Sequence, residues 1–289
     1  MNKSVNQAQS KDRIAVFFSA DSGGAQLVMV NIACELSKLD HEIDVIMAQL
    51  KGPYIHKLPP SVTTFDLKTR QPHQLVSRFL NYLQDRKPTA ILVAQQQTNL
   101  VAIIARLLGK ISTPLIIHQH NQLSLLAQND KRILVRILPF FAKFLYPLAD
   151  EIVAVSKGVA KDLAKITGLP REKIKVIYNP VITEEVFTLG AEIPSHPWLI
   201  HQEKTVILSA GRLTKQKDYP TLIRAFAQIY QQLDCRLIIV GEGEERPHLE
   251  QLISNLNLDD VVSLPGFAEN PYSYMARSNL FVLSSAWEG

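Results

Sequence analysis

Two cations stand close together in the run Ser209-Ala-Gly-Arg-Leu-Thr-Lys-Gln-Lys-Asp218, where an apolar stretch passes through a glycine turn into a helical pattern. A planar guanidinium on Arg212, an ammonium on Lys217 and the free amides of a helix N-terminus, gathered beside Gly211, suit a diphosphate. Taken alone, the run also reads as a solvated basic loop. A second strand-to-helix turn, Ser19-Ala-Asp-Ser-Gly-Gly24, carries Gly23 and Gly24. Such a pair lets a ligand approach the backbone and favours an anion at the helix start, although a tight turn alone needs the same residues. The turn is neither Gly-x-Gly-x-x-Gly nor a Gly-x-x-x-x-Gly-Lys-Ser/Thr phosphate loop. Gly241-Glu-Gly-Glu-Glu245 is a third glycine turn, in which Gly241 permits close approach and Glu242 or its neighbours can cap the next helix. His118 and His120, two apart in Pro114-Leu-Ile-Ile-His-Gln-His-Asn121, invite a metal reading, but no further ligands cluster near them in sequence. Ser156, Asn179 and the closing Ser284-Ser-Ala-Trp-Glu-Gly289, with Glu288, complete the polar positions of interest.

All of these residues follow short apolar runs. Strands are expected at 14–18, 43–47, 90–94, 115–117, 152–155, 175–178, 206–209, 237–240, 261–264 and 280–283. Most are continuously apolar, which is how strands buried on both faces of a parallel sheet read. Helical patterns lie between them, as at 25–39, 74–84, 157–167, 219–233 and 246–255. The alternation implies doubly wound α/β sheets, whose ligands bind at the carboxyl ends of the strands. Between 183 and 204 the pattern lapses into a stretch with two prolines and two histidines, expected to link two domains. The expected organisation is therefore a disordered tail at 1–12, a first α/β domain at 13–182, a linker at 183–204 and a second α/β domain at 205–289. Two sheets facing each other by their carboxyl ends would enclose a cleft. The second domain reads as cut short, because a motif-bearing strand is followed at once by Gly289.

Composition excludes several partners. The chain has 289 residues, with 31 Lys+Arg against 27 Asp+Glu, and the net +4 includes no basic block suited to nucleic acid. Cys34 and Cys235 lie 201 positions apart, which is neither metal-ligand nor disulfide-framework spacing, so free thiols in a reducing compartment are expected. The polar N-terminus has no signal-peptide core, and no apolar stretch reaches the length of a spanning helix. The expected location is the cytosol, or the membrane surface facing it. The segment 131–146 bears on the second option. At about 100° per residue it sets Arg132, Arg136 and Lys143 on one stripe of a strongly apolar helix. A basic amphipathic helix can lie on an anionic membrane. A helix packed into the core with its polar edge in water gives the same pattern, and Pro139 kinks or divides it either way.

Five motifs, in order and covering most of the chain, resemble the retaining nucleotide-sugar glycosyltransferases of family 4. They begin GGAQLVMVNIACEL, ADEIVAVSKGVAKDL, LSAGRLTKQKDYPTLIRAF, LIIVGEGEERPHLEQLI and VVSLPGFAENPYSYMARSNLFVLSSAWEG. The resemblance implies the GT-B architecture: two Rossmann-like domains, the second of them incomplete here. It implies transfer of a sugar from a UDP- or GDP-sugar donor to a glycan or lipid-linked acceptor, with retention, in cell-surface polysaccharide synthesis. By the same resemblance Arg212 and Lys217 hold the donor diphosphate and Gly24 approaches phosphate or acceptor. Spacing from the strand-opening proline favours His120 over His118 as the histidine near the reacting sugar. Glu288 corresponds to the first glutamate of a Glu-x7-Glu motif, which contacts the donor sugar. No Asp-x-Asp motif is present, so no metal or other cofactor is expected. Other readings are a GT-B relative such as an epimerase or phosphorylase, a non-catalytic two-lobed sugar-binding protein, and an inert fragment.

Overall fold

The computed structural model describes residues 12–19, 23–201 and 203–289. Residues 1–11 of the expected disordered tail and residues 20–22 of the first glycine turn lie outside the described residues. The chain divides into two compact units, the first ending at Val181 and the second running from Ile182 to Glu288.

The first unit is built on seven strands: β1 (Arg13–Phe18), β2 (Glu42–Met47), β3 (Thr63–Asp66), β4 (Ala90–Ala94), β5 (Leu115–Gln119), β6 (Glu151–Ala154) and β7 (Ile174–Val176). They lie in the order β3-β2-β1-β4-β5-β6-β7, every pair parallel. Its helices are α1 (Gly23–Ser37), α2 (Pro72–Arg86), α3 (Gln96–Gly109), α4 (Leu123–Asn129), α5 (Ile133–Arg136), α6 (Leu138–Leu145) and α7 (Lys157–Thr167). Strand β1 shows why the apolar runs are continuous. Val16 and Phe18 enter one core with Met29 and Val30 of α1, while Ala15 and Phe17 enter the other, where Phe17 stacks on Phe79 of α2 at 4.4 Å. Alternate side chains point to opposite faces and both faces are covered, so neither set can be polar.

One carboxylate breaks that rule inside the sheet. Asp44 of β2 is 1% exposed. It accepts hydrogen bonds from Tyr82 Oη at 2.8 Å and from Arg86 Nε and Nη2 at 3.1 and 3.2 Å, with Arg13 Nε at 3.7 Å. Burial and the adjacent carboxylate push the Tyr82 hydroxyl well above its ordinary range. The cluster ties α2 to the amino ends of β1 and β2.

Strand β3 was not expected; its Thr-Thr-Phe-Asp sequence is polar because this edge strand is mostly exposed. The segment 131–146 is two helices rather than one. The break falls at Ile137, which leaves Pro139 in the first turn of α6, where its missing N–H costs nothing. Core packing accounts for only one side of it. Val135, Leu138, Ala142 and Tyr146 are buried, whereas Phe140, Phe141 and Phe144 are exposed. No helix among the described residues is long and apolar enough to cross a membrane.

The second unit contains α8 (Glu184–Gly190), α9 (Pro197–His201), β8 (Thr205–Ala210), α10 (Tyr219–Tyr230), β9 (Cys235–Val240), α11 (Arg246–Asn255), β10 (Val262–Gly266), α12 (Pro271–Arg277) and β11 (Leu280–Phe281). Its four strands run parallel in the order β10-β9-β8-β11. Residues 183–204, read from sequence as an irregular linker, carry α8 and α9 and belong to this unit. Leu199 is buried with Val206, Leu208, Ile238 and Val240, and Asn270 Nδ2 donates to the Leu189 carbonyl at 2.8 Å. Helices of seven and five residues are too short to show a period in sequence. Both cysteines are free thiols.

Replacing Asp44 by Ala removes the carboxylate partner of the partly exposed Arg86 and of the buried Tyr82 hydroxyl, while Arg13 keeps Glu42. Asp44→Ala should destabilise the first unit by about 3 kcal/mol, the lower end for a broken buried pair because Arg86 still reaches water. Urea denaturation of the variant beside the parent measures this, and an unchanged midpoint would contradict it.

Candidate functional site

In the second unit the turn after β8 is welded to the turn after β9. Gly211 N–H donates to the Val240 carbonyl at 2.9 Å, Leu213 N–H to Glu242 O at 2.9 Å, and Glu245 N–H to Leu213 O at 2.9 Å. Gly241 sits at φ 145°, and a Cβ there would collide with the Gly211 carbonyl; a Cβ on Gly243 would collide with the Leu213 backbone. These two glycines are therefore demanded by loop-to-loop packing rather than by a ligand. Glu242 is engaged nearby. Its carboxylate takes a two-point ion pair from Arg246, Nε and Nη2 each at 2.9 Å. The expected capping of α11 is absent, for Glu245 at the N-cap makes no side-chain cap and lies instead 3.2 Å from His248 Nδ1.

The weld sorts two neighbouring side chains. Leu213 is fully buried, so Arg212 points outward, exposed and with no hydrogen bond or ion pair among the described residues. A short helical turn at Lys215–Lys217 and a left-handed Asp218, φ 46°, then lead into α10. The Lys217 stem, at Cδ and Cε, packs beside Gly211, and its Nζ pairs with the Glu288 carboxylate. That pairing is built by the backbone. Ala286 N–H donates to Gln216 O at 2.9 Å, Gln216 Nε2 to Trp287 O at 3.1 Å, and Ser284 Oγ to Lys217 O at 2.8 Å. Sequence reading missed Gln216 and Ser284 as the residues that fasten Glu288 here. It also missed Tyr219. Its buried hydroxyl stands close to Ser209, whose Oγ donates its own proton to Val282 O at 2.6 Å.

In the first unit the carboxyl ends of β1 and β4 meet at the point where the winding reverses. Gln95, at φ 81°, clasps Ser19 there: it accepts from Ser19 N–H at 2.9 Å and donates back to Ser19 O at 3.4 Å. Gly23 and Gly24 open α1, whose first turn holds no acidic side chain. A Cβ on either glycine would meet nothing within 4 Å among the described residues, so packing does not require them. Ser156 caps α7, accepting from Val159 N–H at 3.1 Å. Asn179 lies beyond β7 with its Oδ1 buried and unbonded.

His118 and His120 end β5 side by side, ring centroids 4.4 Å apart, and both are buried. Burial pushes the His118 imidazole down to about 4; burial and then the His118 ring push His120 to about 3. Both are neutral near pH 7. Each buried Nε2 has no protein partner, so each can donate to or accept from a ligand oxygen. Gln119 between them faces inward, held by Tyr146 Oη at 2.9 Å.

Seven buried side-chain polar atoms among the described residues have no hydrogen-bond partner. Six lie at the carboxyl edge of their sheet, on Gln26, His118, His120, Asn179, Tyr219 and Ser285, and only Arg13 lies at the opposite end. Unsatisfied buried groups are rare in folded proteins, and their collection where parallel sheets take ligands makes both edges candidate binding surfaces.

Residues 22–185 match the model of Glycosyltransferase Family 4, and residues 194–289 match that of Glycosyl transferases group 1. The chain is 32% identical over 287 residues to the N-acetylgalactosamine-N,N'-diacetylbacillosaminyl-diphospho-undecaprenol 4-alpha-N-acetylgalactosaminyltransferase of Campylobacter jejuni, covering 96% of this chain and 75% of that protein. Among solved structures, Anabaena Alr3699/HepE in complex with UDP and glucose superposes with a TM-score of 0.72 at 22% identity, over 96% of this chain and 74% of that one. Sucrose-phosphate synthase from Thermosynechococcus elongatus gives 0.75 at 18% identity, over 96% and 76%. With its two parallel α/β sheets and these matches, the chain has the GT-B fold and belongs to glycosyltransferase family 4.

Proposed function

We propose that the protein transfers a sugar from a UDP- or GDP-sugar to a glycan or lipid-linked acceptor, with retention of configuration and without a metal. The observation that carries the reading is the pair of cations at the Gly211 turn, Arg212 exposed and uncommitted, Lys217 held beside it by Gly211 and Glu288. When the bond from the anomeric carbon to the donor phosphate breaks, its electron pair stays on the departing diphosphate. A guanidinium and an ammonium placed against that oxygen stabilise the charge as it develops, which is the work a metal ion would otherwise do. The new bond forms from an acceptor hydroxyl oxygen to the anomeric carbon, and the hydroxyl proton leaves with the phosphate.

Glu288, fastened one ion pair away from the phosphate site, is placed to accept hydrogen bonds from sugar hydroxyls. His120 is proposed to contact the reacting sugar as a neutral imidazole, with His118 packed behind it. Gly24, in the first turn of α1, is proposed to approach phosphate or acceptor. Support for the donor comes from the UDP bound by the Anabaena protein, and for a lipid-linked acceptor from the diphospho-undecaprenol named for the Campylobacter relative.

Arg212→Ala and Lys217→Ala should each lower sugar transfer by about a hundredfold or more, in line with removal of one charge-stabilising donor. Nucleotide release from a panel of UDP- and GDP-sugars measures it, with thermal midpoints as the folding control; near-normal turnover would remove the diphosphate assignment. EDTA should leave turnover unchanged, and restoration of lost activity by a divalent cation would contradict metal-free transfer.

The two histidines generate a pH prediction. An unfolded imidazole takes its proton near 6.5, whereas the folded His118 and His120 resist until about 4 and about 3. As pH falls below 6.5 the unfolded chain therefore binds protons first, and stability drops by up to about 1.4 kcal/mol per pH unit for each histidine. Urea midpoints at pH 7 and pH 5 should diverge in the parent and converge in the His118→Gln, His120→Gln double variant. Equal acid sensitivity in both proteins would be the contrary result.

A further inference from the structure

Strand β5 ends on a polar residue in an apolar row. Leu115 and Ile117 enter one core of the first unit, and Gln119 takes the next place on that face, fully buried. Two more fully buried polar side chains meet it there: Tyr146, just past α6, and Asn99, in the first turn of α3. Tyr146 Oη donates to Gln119 Oε1 at 2.9 Å, and Asn99 Nδ2 lies 3.2 Å from the same hydroxyl and 3.4 Å from Gln119 Oε1. Burial pushes the Tyr146 hydroxyl above its ordinary range, so it remains a proton donor. The other end of the Gln119 amide turns back on the chain, its Nε2 donating to the Asn121 carbonyl at 2.8 Å.

This last bond spans a single residue, His120. The ladder with β6 ends at Gln119, opposite Ala154, so sheet pairing no longer dictates the path of the chain beyond it. The Gln119 amide fixes the carbonyl on the far side of His120 instead. The exit of the same turn is anchored at the start of α4, where Ser124 donates its N–H, at 3.2 Å, and its hydroxyl to the buried Asp162 carboxylate of α7. Polar groups buried in a core cost desolvation that apolar ones avoid, and a satisfied network of them specifies one geometry. The geometry specified here is the seat of the His120 ring, 4.4 Å from His118 and with Nε2 unbonded.

We propose that Gln119 and Tyr146 are positioning residues, which set the direction from which His120 meets the sugar. The inference rests on the reading of His120 as the group that contacts the reacting sugar. Gln119 points to the opposite face of β5 from His118, so it acts through the turn it holds and not by touching the ligand.

Two variants test it. Tyr146→Phe keeps the ring and takes from Gln119 Oε1 its closer donor. Tyr146→Phe with Gln119→Leu replaces both members by apolar groups of similar shape, a change that folding tolerates far better than an unpaired polar group. A reacting group misplaced by about 1 Å costs up to about a hundredfold, so both variants should lower kcat about tenfold or more, with the donor KM changed by less than about twofold. The thermal midpoint should fall in the single variant and recover in the double, while kcat stays low in both. Proton–carbon correlation spectra of the histidine rings supply the second readout. The His120 signal, identified by its loss in His120→Gln, should shift or broaden in both variants, and that of the exposed His73 should not. This readout needs no turnover, so a failure of the positioning is distinguished from a failure of the proposed reaction. Recovery of kcat together with stability in the double variant, or an unmoved His120 signal in both, would overturn the inference.

Discussion

Every strand pairing in both sheets is parallel, so every strand releases its chain toward the following helix along the same edge of its sheet. Both faces of each sheet are covered, and the cores admit little but apolar side chains. Polar residues that follow the strands must therefore be satisfied along that edge or stay open to a ligand. The first unit does both. Gln95 closes on Ser19 and Gln119 on Tyr146, which fixes the strand ends, while the imidazoles of His118 and His120 stay unbonded at Nε2. Rigid scaffold and unsatisfied group come from adjacent positions on one strand, a combination that binding sites need.

In the second unit the same edge is stiffened by backbone. Three hydrogen bonds join the turns after β8 and β9, and Gly241 and Gly243 exist to let those turns touch. Burying Leu213 under the joined turns sets its neighbour Arg212 on the outer side of the turn, so the side from which Arg212 projects follows from packing rather than from a partner of its own. A side chain aimed by its backbone loses less freedom on meeting an anion than one on a mobile loop.

Local pattern made much of this legible in the sequence. Helices expected at 157–167 and 246–255 span α7 and α11 as observed, because each has a capping or proline start and a clear apolar stripe. The polar edge strand β3 gave no apolar run, and α8 and α9 were too short for periodicity. At the site, the polar residue types and their strand-end positions could be read, but not the partnerships. Lys217 and Glu288 stand 71 positions apart, and the Gly243 requirement comes from Leu213, which no local spacing reports. The 131–146 segment shows the same limit from the other side. When both faces of a helix are apolar, sequence cannot tell which one the core takes, and only packing reveals that Leu138 and Ala142 are inside and the phenylalanines outside.

The Lys217–Glu288 pair bears on what kind of ligand the proposed site favours. With the pair formed, Lys217 is already neutralised, and the cations at the turn without an ion pair among the described residues are Arg212 and Lys215. A bare anion drawn to Arg212 and Lys217 would take Lys217 from Glu288 and leave that carboxylate facing a negative neighbour. A ligand whose sugar hydroxyls lie a few bonds beyond its phosphate satisfies both ends at once: the phosphate oxygens replace Glu288 on the ammonium, and the hydroxyls replace the ammonium on Glu288. Such an exchange conserves the count of charge-assisted hydrogen bonds, whereas a nucleotide without its sugar loses one side of it. On the proposed function, the arrangement would favour the linked donor over its separated parts, and the segment from Ser284 to Glu288 is bound into the Gln216–Lys217 turn by side-chain hydrogen bonds.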